Sequence, residues 1–182
     1  MRAALHAISG RLQRGAAHIV FGSRSWSDRL VRDLADGCTD ARVLEIGSGR
    51  QDLGHDSYSV RTLFGPTNSF VQSDVNPAFG HDVVDVTTMG FDAEFDVVVC
   101  MYVLEHVFDV PAAAANIHRA LVPGGRAVIA VPHVYPYHDE PIDFWRFTEH
   151  SLRRLLSGYA DVRISHAGPR RLPKALLAIA TK

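Results

Sequence analysis

Short apolar runs alternate with amphipathic stretches along most of this chain. Five of these runs predict buried strands, and the segments between them predict helices or loops. Continuous apolar strands that alternate with helices indicate a mostly parallel sheet with both faces covered. We therefore predict a doubly wound, three-layer α/β/α fold that closes on an antiparallel C-terminal strand pair. The expected strands are RVLEI (42–46), SFVQSD (69–74), HDVVDV (81–86, ending at Asp85), FDVVVCMYV (95–103), RAVIAVP (126–132) and the closing pair ADVRISHAG (160–168) and KALLAIATK (174–182).

The segments between the strands carry helix signals of two kinds. Apolar residues at steps of three and four predict an amphipathic helix between Leu5 and Ile19. The other helices are marked by capping residues at their starts and by glycines at their ends. They are expected at 25–37 with Ser25 or Ser27 as cap, at 109–125 with Asp109 as cap and Pro-Gly-Gly as terminator, and at 148–158 between Thr148 and Gly158.

These elements predict one domain with an added N-terminal segment. Residues 1–40 are expected to form a helical cap, and residues 41–182 are expected to form the cofactor-binding domain. The arginine-rich start also fits an organelle transit peptide, but the amphipathic helix is the stronger interpretation. Residues 51–69 break the helix pattern with two glycines and a proline. This segment predicts a loop with at most a short helix.

Composition narrows the range of partners. The 182 residues are 47% hydrophobic and carry a net charge of −1, and no apolar run is long enough to span a bilayer. We therefore expect no nucleic-acid partner and no membrane, and we leave a homodimer open as an assembly. Cys38 and Cys100 are too few for a disulfide framework, and Cys100 lies in an apolar run. A reduced, cytoplasmic protein is expected.

The first strand runs into a glycine-rich corner, GSGRQD (47–52). A dinucleotide needs a third glycine in this series so that a helix amino end can face its pyrophosphate. Here the sixth position is Asp52, and Glu45 adds a second carboxylate two positions before Gly47. Both side chains would repel a pyrophosphate but would attract the sulfonium and ammonium groups of S-adenosylmethionine. This cofactor is therefore favoured over a dinucleotide, and an oxidoreductase is disfavoured.

Acidic residues follow the next two strands. Asp74 can accept hydrogen bonds from two ribose hydroxyls, and Asp85 can accept one from the adenine amino group. Each residue also has a plainer interpretation, because aspartate before Asn-Pro favours a turn and aspartate caps turns and helices. Their joint position at successive strand ends favours the cofactor role.

The segments VLEIGSG, QSDVNP, DVVDVTTM, FDVVVCMYVLEHV and LVPGGRAVIAVP occur in the order of the motifs of class I S-adenosylmethionine-dependent methyltransferases. The chain resembles this family from about Arg42 to Lys182, which implies a Rossmann-like sheet and methyl transfer. Gln51 departs from the glycine usual in the family. The resemblance implies cofactor contacts from Glu45, Gly47, Ser48 and Gly49 at the methionine end, Asp74 and Val75 at the ribose, Asp85 and Val86 at the adenine, and Met101, Tyr102 and His106 along its side.

The acceptor site is expected after the fifth strand, in PHVYPYHDEPIDFWRFTEH (132–150). Methyl transfer to a hydroxyl benefits from a base, and histidine fits this role near neutral pH. His133 is the first choice, followed by His138 and Asp139. The alternative for His133 is a structural hydrogen bond to a loop carbonyl. The expected acceptor is a small molecule such as a natural product or a sugar, methylated on oxygen or nitrogen.

Other residues of this segment have further predicted roles. Tyr135 and Tyr137 are candidates for the wall of the acceptor site. Asp143 and Arg146 are expected to pair and to pin the loop. The acidic and histidine side chains of the segment suit a divalent ion, but their spacing matches no standard signature, so we predict no metal.

Two other function classes remain for comparison. A methyltransferase-like domain that binds without turnover is the main alternative to an enzyme. Methylation of nucleic acid or protein lacks the expected basic patch with interleaved aromatic residues.

Overall fold

The computed structural model describes residues 23–50, 59–138 and 142–182. Within them the chain forms one seven-stranded sheet, in which β7 runs antiparallel to its neighbours β5 and β6 and all other pairs are parallel. The strand order is β3-β2-β1-β4-β5-β7-β6. The strands are β1 (Arg42–Ile46), β2 (Ser69–Asp74), β3 (Asp82–Val83), β4 (Phe95–Met101), β5 (Leu121–Pro132), β6 (Asp161–His166) and β7 (Ala175–Thr181).

Three α-helices of the described residues cover this sheet. They are α1 (Arg24–Ala35), α2 (Val110–Ala120) and α3 (Glu149–Leu155). Short 3₁₀ turns occur at Arg61–Leu63, Pro77–Phe79 and Leu104–His106. The turn at Arg61–Leu63 agrees with the short helix expected in the loop after β1.

The central strands are apolar on both faces, and this explains the three layers. In β4, Val97 and Val99 belong to the buried cluster that includes residues of α1. Val98 and Cys100, which alternate with them, belong to the cluster that includes residues of α2 and α3. Side chains of successive strand residues point to opposite faces, so both faces of β4 are buried under helices. The predicted Rossmann-like α/β/α fold with an antiparallel closing pair is confirmed.

Several element boundaries differ from the predictions. The third strand is only Asp82–Val83, because Asp85 begins a turn. Helix α1 begins at Arg24 after Ser23, and Ser27 bonds the carbonyl of Arg24 inside it, so neither Ser25 nor Ser27 is its cap. The side chains of Asp109 and Thr148 do cap α2 and α3.

The Pro-Gly-Gly segment does not form a helix terminator. Helix α2 ends at Ala120, and the segment lies inside β5. The backbone N–H of Gly124 donates to the carbonyl of Lys182, and that of Lys182 donates to the carbonyl of Gly125. Pairing with the chain end after β7 therefore extends this strand through both glycines.

The order of the strands defines where a ligand site is expected. The chain moves outward from β1 to β2 and β3, and then returns to add β4 on the other side of β1. Crevices form at such a reversal, outside the carboxyl ends of the strands. Among the described residues, no helix is both long enough and apolar enough to cross a membrane. The predicted helix at 5–19 lies outside the described residues.

Candidate active site

The corner after β1 is fixed by backbone geometry. The N–H groups of Gly47 and Ser48 both donate to the carbonyl of Ser73, each at 2.9 Å. Gly47 and Gly49 have φ angles of 76° and 70°, in the left-handed region that glycine adopts without strain. A Cβ atom on Gly47 would overlap the side chain of Val103. Glycine is therefore required at position 47 by conformation and by space.

The Glu45 carboxylate holds this corner in place through three hydrogen bonds. Its side chain is buried, and its carboxylate accepts hydrogen bonds from Ser48 Oγ (2.7 Å), Ser59 Oγ (2.6 Å) and the backbone N–H of Val60 (2.6 Å). The carboxylate therefore joins the glycine corner to the far end of the loop that follows. Its predicted contact with the cofactor remains a prediction, whereas its role within the loop is visible.

Glu45→Gln is expected to lower the free energy of unfolding by about 1–3 kcal/mol, because an amide nitrogen would face hydrogen-bond donors that now point at a carboxylate oxygen. Urea unfolding measures the effect. Glu94→Gln is the matched control, since Glu94 is exposed and near the start of β4. Equal stability of the two variants would contradict this role for Glu45.

Asp74 connects two loops at the carboxyl edge of the sheet. Its side chain is mostly buried; Oδ2 accepts from the backbone N–H of Gly49 at 3.1 Å, and Oδ1 accepts from that of Asn76 at 2.9 Å. Asp74 therefore has the turn-forming role that the sequence left open, through its bond with Asn76. Its bond with Gly49 places the same carboxylate beside the glycine corner. Val75, which follows it, is exposed.

Asp85 caps a turn. Its Oδ1 accepts from the backbone N–H of Thr87 at 2.8 Å and from the hydroxyl of Thr87 at 2.7 Å. Val86 is buried, and its carbonyl accepts a hydrogen bond from Asn116 at 3.0 Å. The structure thus gives Asp85 the plainer of its two predicted roles, and the adenine contact remains a prediction.

The residues at the end of β4 lie against α1. The Met101 side chain is buried in the cluster on the α1 side, and Tyr102 packs beside it. The Tyr102 hydroxyl is 2.6 Å from Ser23 Oγ, and Tyr102 has a φ of 57°, which is rare for a bulky residue. Burial raises the pKa of this phenol, and the hydrogen bond with Ser23 opposes that shift. Strained backbone of this kind is concentrated at functional sites.

The 3₁₀ turn after β4 holds a carboxylate that the sequence predictions did not include. Glu105 is buried, and its Oε2 has no hydrogen-bond partner within the described part of the chain. Burial raises the pKa of Glu105 to about 8, although a backbone hydrogen bond and the positive charge of Arg146 oppose this shift. Oε1 of Glu105 lies 4.0 Å from Nε2 of His106. The structure also brings the rings of His106 and His138 together, with centroids 5.0 Å apart.

The predicted ion pair of the loop is confirmed. Both carboxylate oxygens of Asp143 lie 2.6 Å from guanidinium nitrogens of Arg146, and the backbone N–H of His138 donates to Asp143 at 2.9 Å. Burial alone would raise the pKa of Asp143, but these hydrogen bonds lower it to about 2. Arg146 also donates to the carbonyls of Tyr135 and Pro136, so the pair pins the loop.

His133 directly follows β5 and bonds to the backbone ahead of α3. Its Nδ1 lies 2.6 Å from the carbonyl of Phe147, which is the structural hydrogen bond foreseen as the alternative to catalysis. A carbonyl only accepts, so Nδ1 carries the proton and Nε2 keeps a basic lone pair. His133 also lines a pocket of about 360 Å³, together with residues of α3 and of the β6–β7 loop. Asp139 lies outside the described residues.

Comparison with known families matches residues 16–159 to a family described as a methyltransferase domain. No curated protein sequence matches the chain. The fold, in contrast, is similar to that of several solved methyltransferases.

Three of these structures illustrate the similarity. The 1,6-didemethyltoxoflavin-N1-methyltransferase of Burkholderia thailandensis, solved with bound 1,6-didemethyltoxoflavin and S-adenosylhomocysteine, is 20% identical, with 97% of this chain and 89% of that chain covered and a TM-score of 0.64. The N-methyltransferase NodS of Bradyrhizobium japonicum is 19% identical, with 88% and 96% covered and a TM-score of 0.62. An S-adenosylmethionine-dependent methyltransferase of Mesorhizobium loti is 15% identical, with 88% and 99% covered and a TM-score of 0.65.

Proposed function

Because this chain belongs to the methyltransferase domain family, we propose that it transfers the methyl group of S-adenosylmethionine to an oxygen or nitrogen atom of a small molecule. The cofactor predicted from the sequence agrees with the family and with the neighbour that holds S-adenosylhomocysteine. That neighbour and NodS are N-methyltransferases, which supports nitrogen as one acceptor atom.

The observation that carries the proposal is the shape of the corner after β1. Two consecutive loops meet there, because Asp74 accepts from Gly49 while Gly47 and Ser48 donate to Ser73. A Cβ atom at Gly47 would overlap the Val103 side chain, so packing within the protein keeps this corner tight. The Asp74 carboxylate, held at the corner by Gly49, suits ribose hydroxyls.

When bound, S-adenosylmethionine supplies a methyl group activated by the positive charge on sulfur. The chain's own contribution is to hold the acceptor in line with that methyl group and to take the proton that the acceptor loses. Positioning of this kind can supply roughly 7–11 kcal/mol of the barrier. In this reaction the acceptor atom would bond to the methyl carbon as the carbon–sulfur bond breaks, and the sulfur would leave with the bonding electrons as S-adenosylhomocysteine.

His133 is our proposed base. The hydrogen bond from Nδ1–H to Phe147 fixes the ring, so Nε2 is the atom that accepts the proton. The adjoining pocket of about 360 Å³ is within the range of small-molecule sites, roughly 300–1,000 Å³. His138 and Asp139 remain the next choices for the base.

His133→Ala is expected to slow methyl transfer by about 10²–10⁴-fold while the affinity for S-adenosylhomocysteine stays the same, because the ring serves the acceptor and not the cofactor. Initial rates of S-adenosylhomocysteine formation, measured with a panel of hydroxy and amino compounds, report the first effect. Calorimetric titration reports the second. His118→Ala is the control, since His118 lies on α2 against Tyr159. Full turnover in His133→Ala would remove His133 from this role.

The proposal as a whole is tested by calorimetry on the full chain with S-adenosylhomocysteine and with NADH. We expect affinity in the micromolar range or tighter for the former and none for the latter. NADH binding alone would overturn the proposal. Cofactor binding without methyl release to any acceptor would instead favour the non-catalytic binding domain.

The remaining expectations are proposals as well. We propose a cytoplasmic location, because Cys38 and Cys100 are both unpaired thiols. We propose no nucleic-acid or membrane partner and leave the homodimer open. The division into a helical cap at residues 1–40 and a cofactor-binding domain at residues 41–182 also remains a proposal.

A further inference from the structure

We propose that Glu105, His106 and His138 form a binding site for a divalent transition-metal ion. Each side chain offers one ligand atom, and these atoms all lie within 4.8 Å of one another. The inference replaces the sequence-based expectation of no metal, and it does not depend on methyl transfer, because metal binding is measured without cofactor or acceptor.

The separations are close to those of a coordinated ion. Metal–ligand distances of about 2.0–2.2 Å in a tetrahedral site place ligand atoms roughly 3.4 Å apart. Glu105 Oε1 and His106 Nε2 are 4.0 Å apart. Side-chain movements of roughly 1 Å therefore suffice to close the site around an ion.

An outer hydrogen bond orients His106 as a ligand, and a carboxylate lies beside the outer nitrogen of His138. His106 Nδ1 lies 2.8 Å from the carbonyl of Ile142, so this nitrogen carries the proton and Nε2 presents a lone pair toward Glu105. Metal-binding histidines are held in this way, with the second ring nitrogen donating to a carbonyl or a carboxylate. Asp143 Oδ2 lies 3.1 Å from Nδ1 of His138, although the two atoms are not aligned for a hydrogen bond. Arg146, in turn, holds Asp143 in place.

Glu105 supplies the independent indication of a ligand. Its side chain is only 2% exposed, and Oε2 has no hydrogen-bond partner within the described residues. Buried polar atoms are nearly always paired, so an unpaired carboxylate oxygen beside two imidazoles calls for a missing partner. A cation at the centre of the three side chains would be that partner.

The ligand types narrow the identity of the ion. Two imidazoles and one carboxylate suit Zn²⁺, Co²⁺, Ni²⁺ or Fe²⁺ better than Mg²⁺ or Ca²⁺, which favour all-oxygen ligand sets. Three protein ligands leave at least one coordination position open, as in catalytic rather than structural sites.

Co²⁺ is the probe, because its visible absorption changes in position and intensity when nitrogen ligands replace water. The full chain, freed of metal with a chelator, is titrated with Co²⁺ and then with Zn²⁺ as competitor. We expect one equivalent to give a saturable band that Zn²⁺ abolishes. Glu105→Gln, His106→Asn and His138→Asn should each weaken Co²⁺ binding by at least 10-fold, because removal of even an outer-shell partner typically costs 10–100-fold.

His118→Asn is the matched histidine control, and it should retain the wild-type band. Far-UV circular dichroism and thermal melts identify any variant that fails to fold, and Glu105→Gln, which keeps the shape of the side chain, then carries the test. Unaltered Co²⁺ affinity in folded Glu105→Gln, or no saturable band in the wild type, would overturn the proposal. Failure of S-adenosylhomocysteine to bind would overturn the proposed function and leave the Co²⁺ result intact.

Discussion

Gly47→Ala is expected to lower the free energy of unfolding by about 2–5 kcal/mol and to weaken S-adenosylhomocysteine binding by at least 10-fold. Two costs combine at this position. A left-handed backbone costs a residue with a Cβ roughly 1–2 kcal/mol, and overpacking in a filled site typically adds about 1–3 kcal/mol. Gly47 has a φ of 76°, and its new Cβ would meet the Val103 side chain.

Gly124→Ala separates the two costs. Gly124 has a φ of 79°, but nothing lies within 4 Å of the position its Cβ would take. This variant should therefore lose only the conformational part, about 1–2 kcal/mol. Urea unfolding measures the free energy of unfolding of both variants, provided that the m-value, the slope against urea concentration, is the same in each. Equal losses would show that Val103 does not crowd the corner.

A double substitution tests the contact directly. Val103→Ala removes the methyl groups that the new Cβ would meet, so Gly47→Ala should cost less in the Val103→Ala background than in the wild type. The difference between the two costs is the energy of the clash. Absence of any difference would mean that the loop shifts to accommodate the methyl group.

The sheet could be predicted because its signal is local and repeated. Apolar residues fill every position of Val97–Met101, and such a run between helical segments favours a strand buried on both faces. The capping residues Asp109 and Thr148 were also identified from sequence, because a helix start depends on a few adjacent residues.

Boundaries set by distant pairing could not be predicted. Gly124 and Gly125 have the local character of a helix terminator, yet their hydrogen bonds with Lys182 hold them in β5. HDVVDV has the apolar residues of a short strand, yet it lies at the edge of the described sheet, where β2 is its neighbour, and Asp85 begins a turn.

The candidate site was predicted where its residues lie at strand ends, and it was missed where folding brings separate loops together. Asp74 and Gly49 are 25 positions apart but lie at the ends of adjacent strands, so the topology predicts their proximity. Glu105 and His138 meet because the carbonyl of Glu105 accepts hydrogen bonds from Phe144 and Trp145, which dock the later loop onto the turn. The spacing of these residues along the sequence does not predict the contact between Glu105 and His138.

Asp74→Asn is expected to weaken S-adenosylhomocysteine binding by at least 100-fold. In the proposed ribose contact, Asp74 would accept hydrogen bonds from two hydroxyls, and removing its charge would cost about 1.5–3 kcal/mol for each of them. The structure adds a second cost. Both carboxylate oxygens already accept backbone N–H groups, from Gly49 and from Asn76, so an amide nitrogen must face one of these donors and loosen a loop of the corner.

Asp82→Asn is the matched control for this experiment. Asp82 lies in β3 beside Ser73, at the same edge of the sheet, and its side chain is exposed. Removing its charge should change the affinity by less than about 3-fold, because an exposed charge acts only weakly across water. Calorimetric titration gives both affinities, and thermal melts establish that each variant is folded. Unchanged affinity in folded Asp74→Asn would refute the ribose contact. Equal losses of affinity in both variants would show that the total negative charge at this edge matters. That result would still favour a cationic donor, but it would remove the specific role of Asp74.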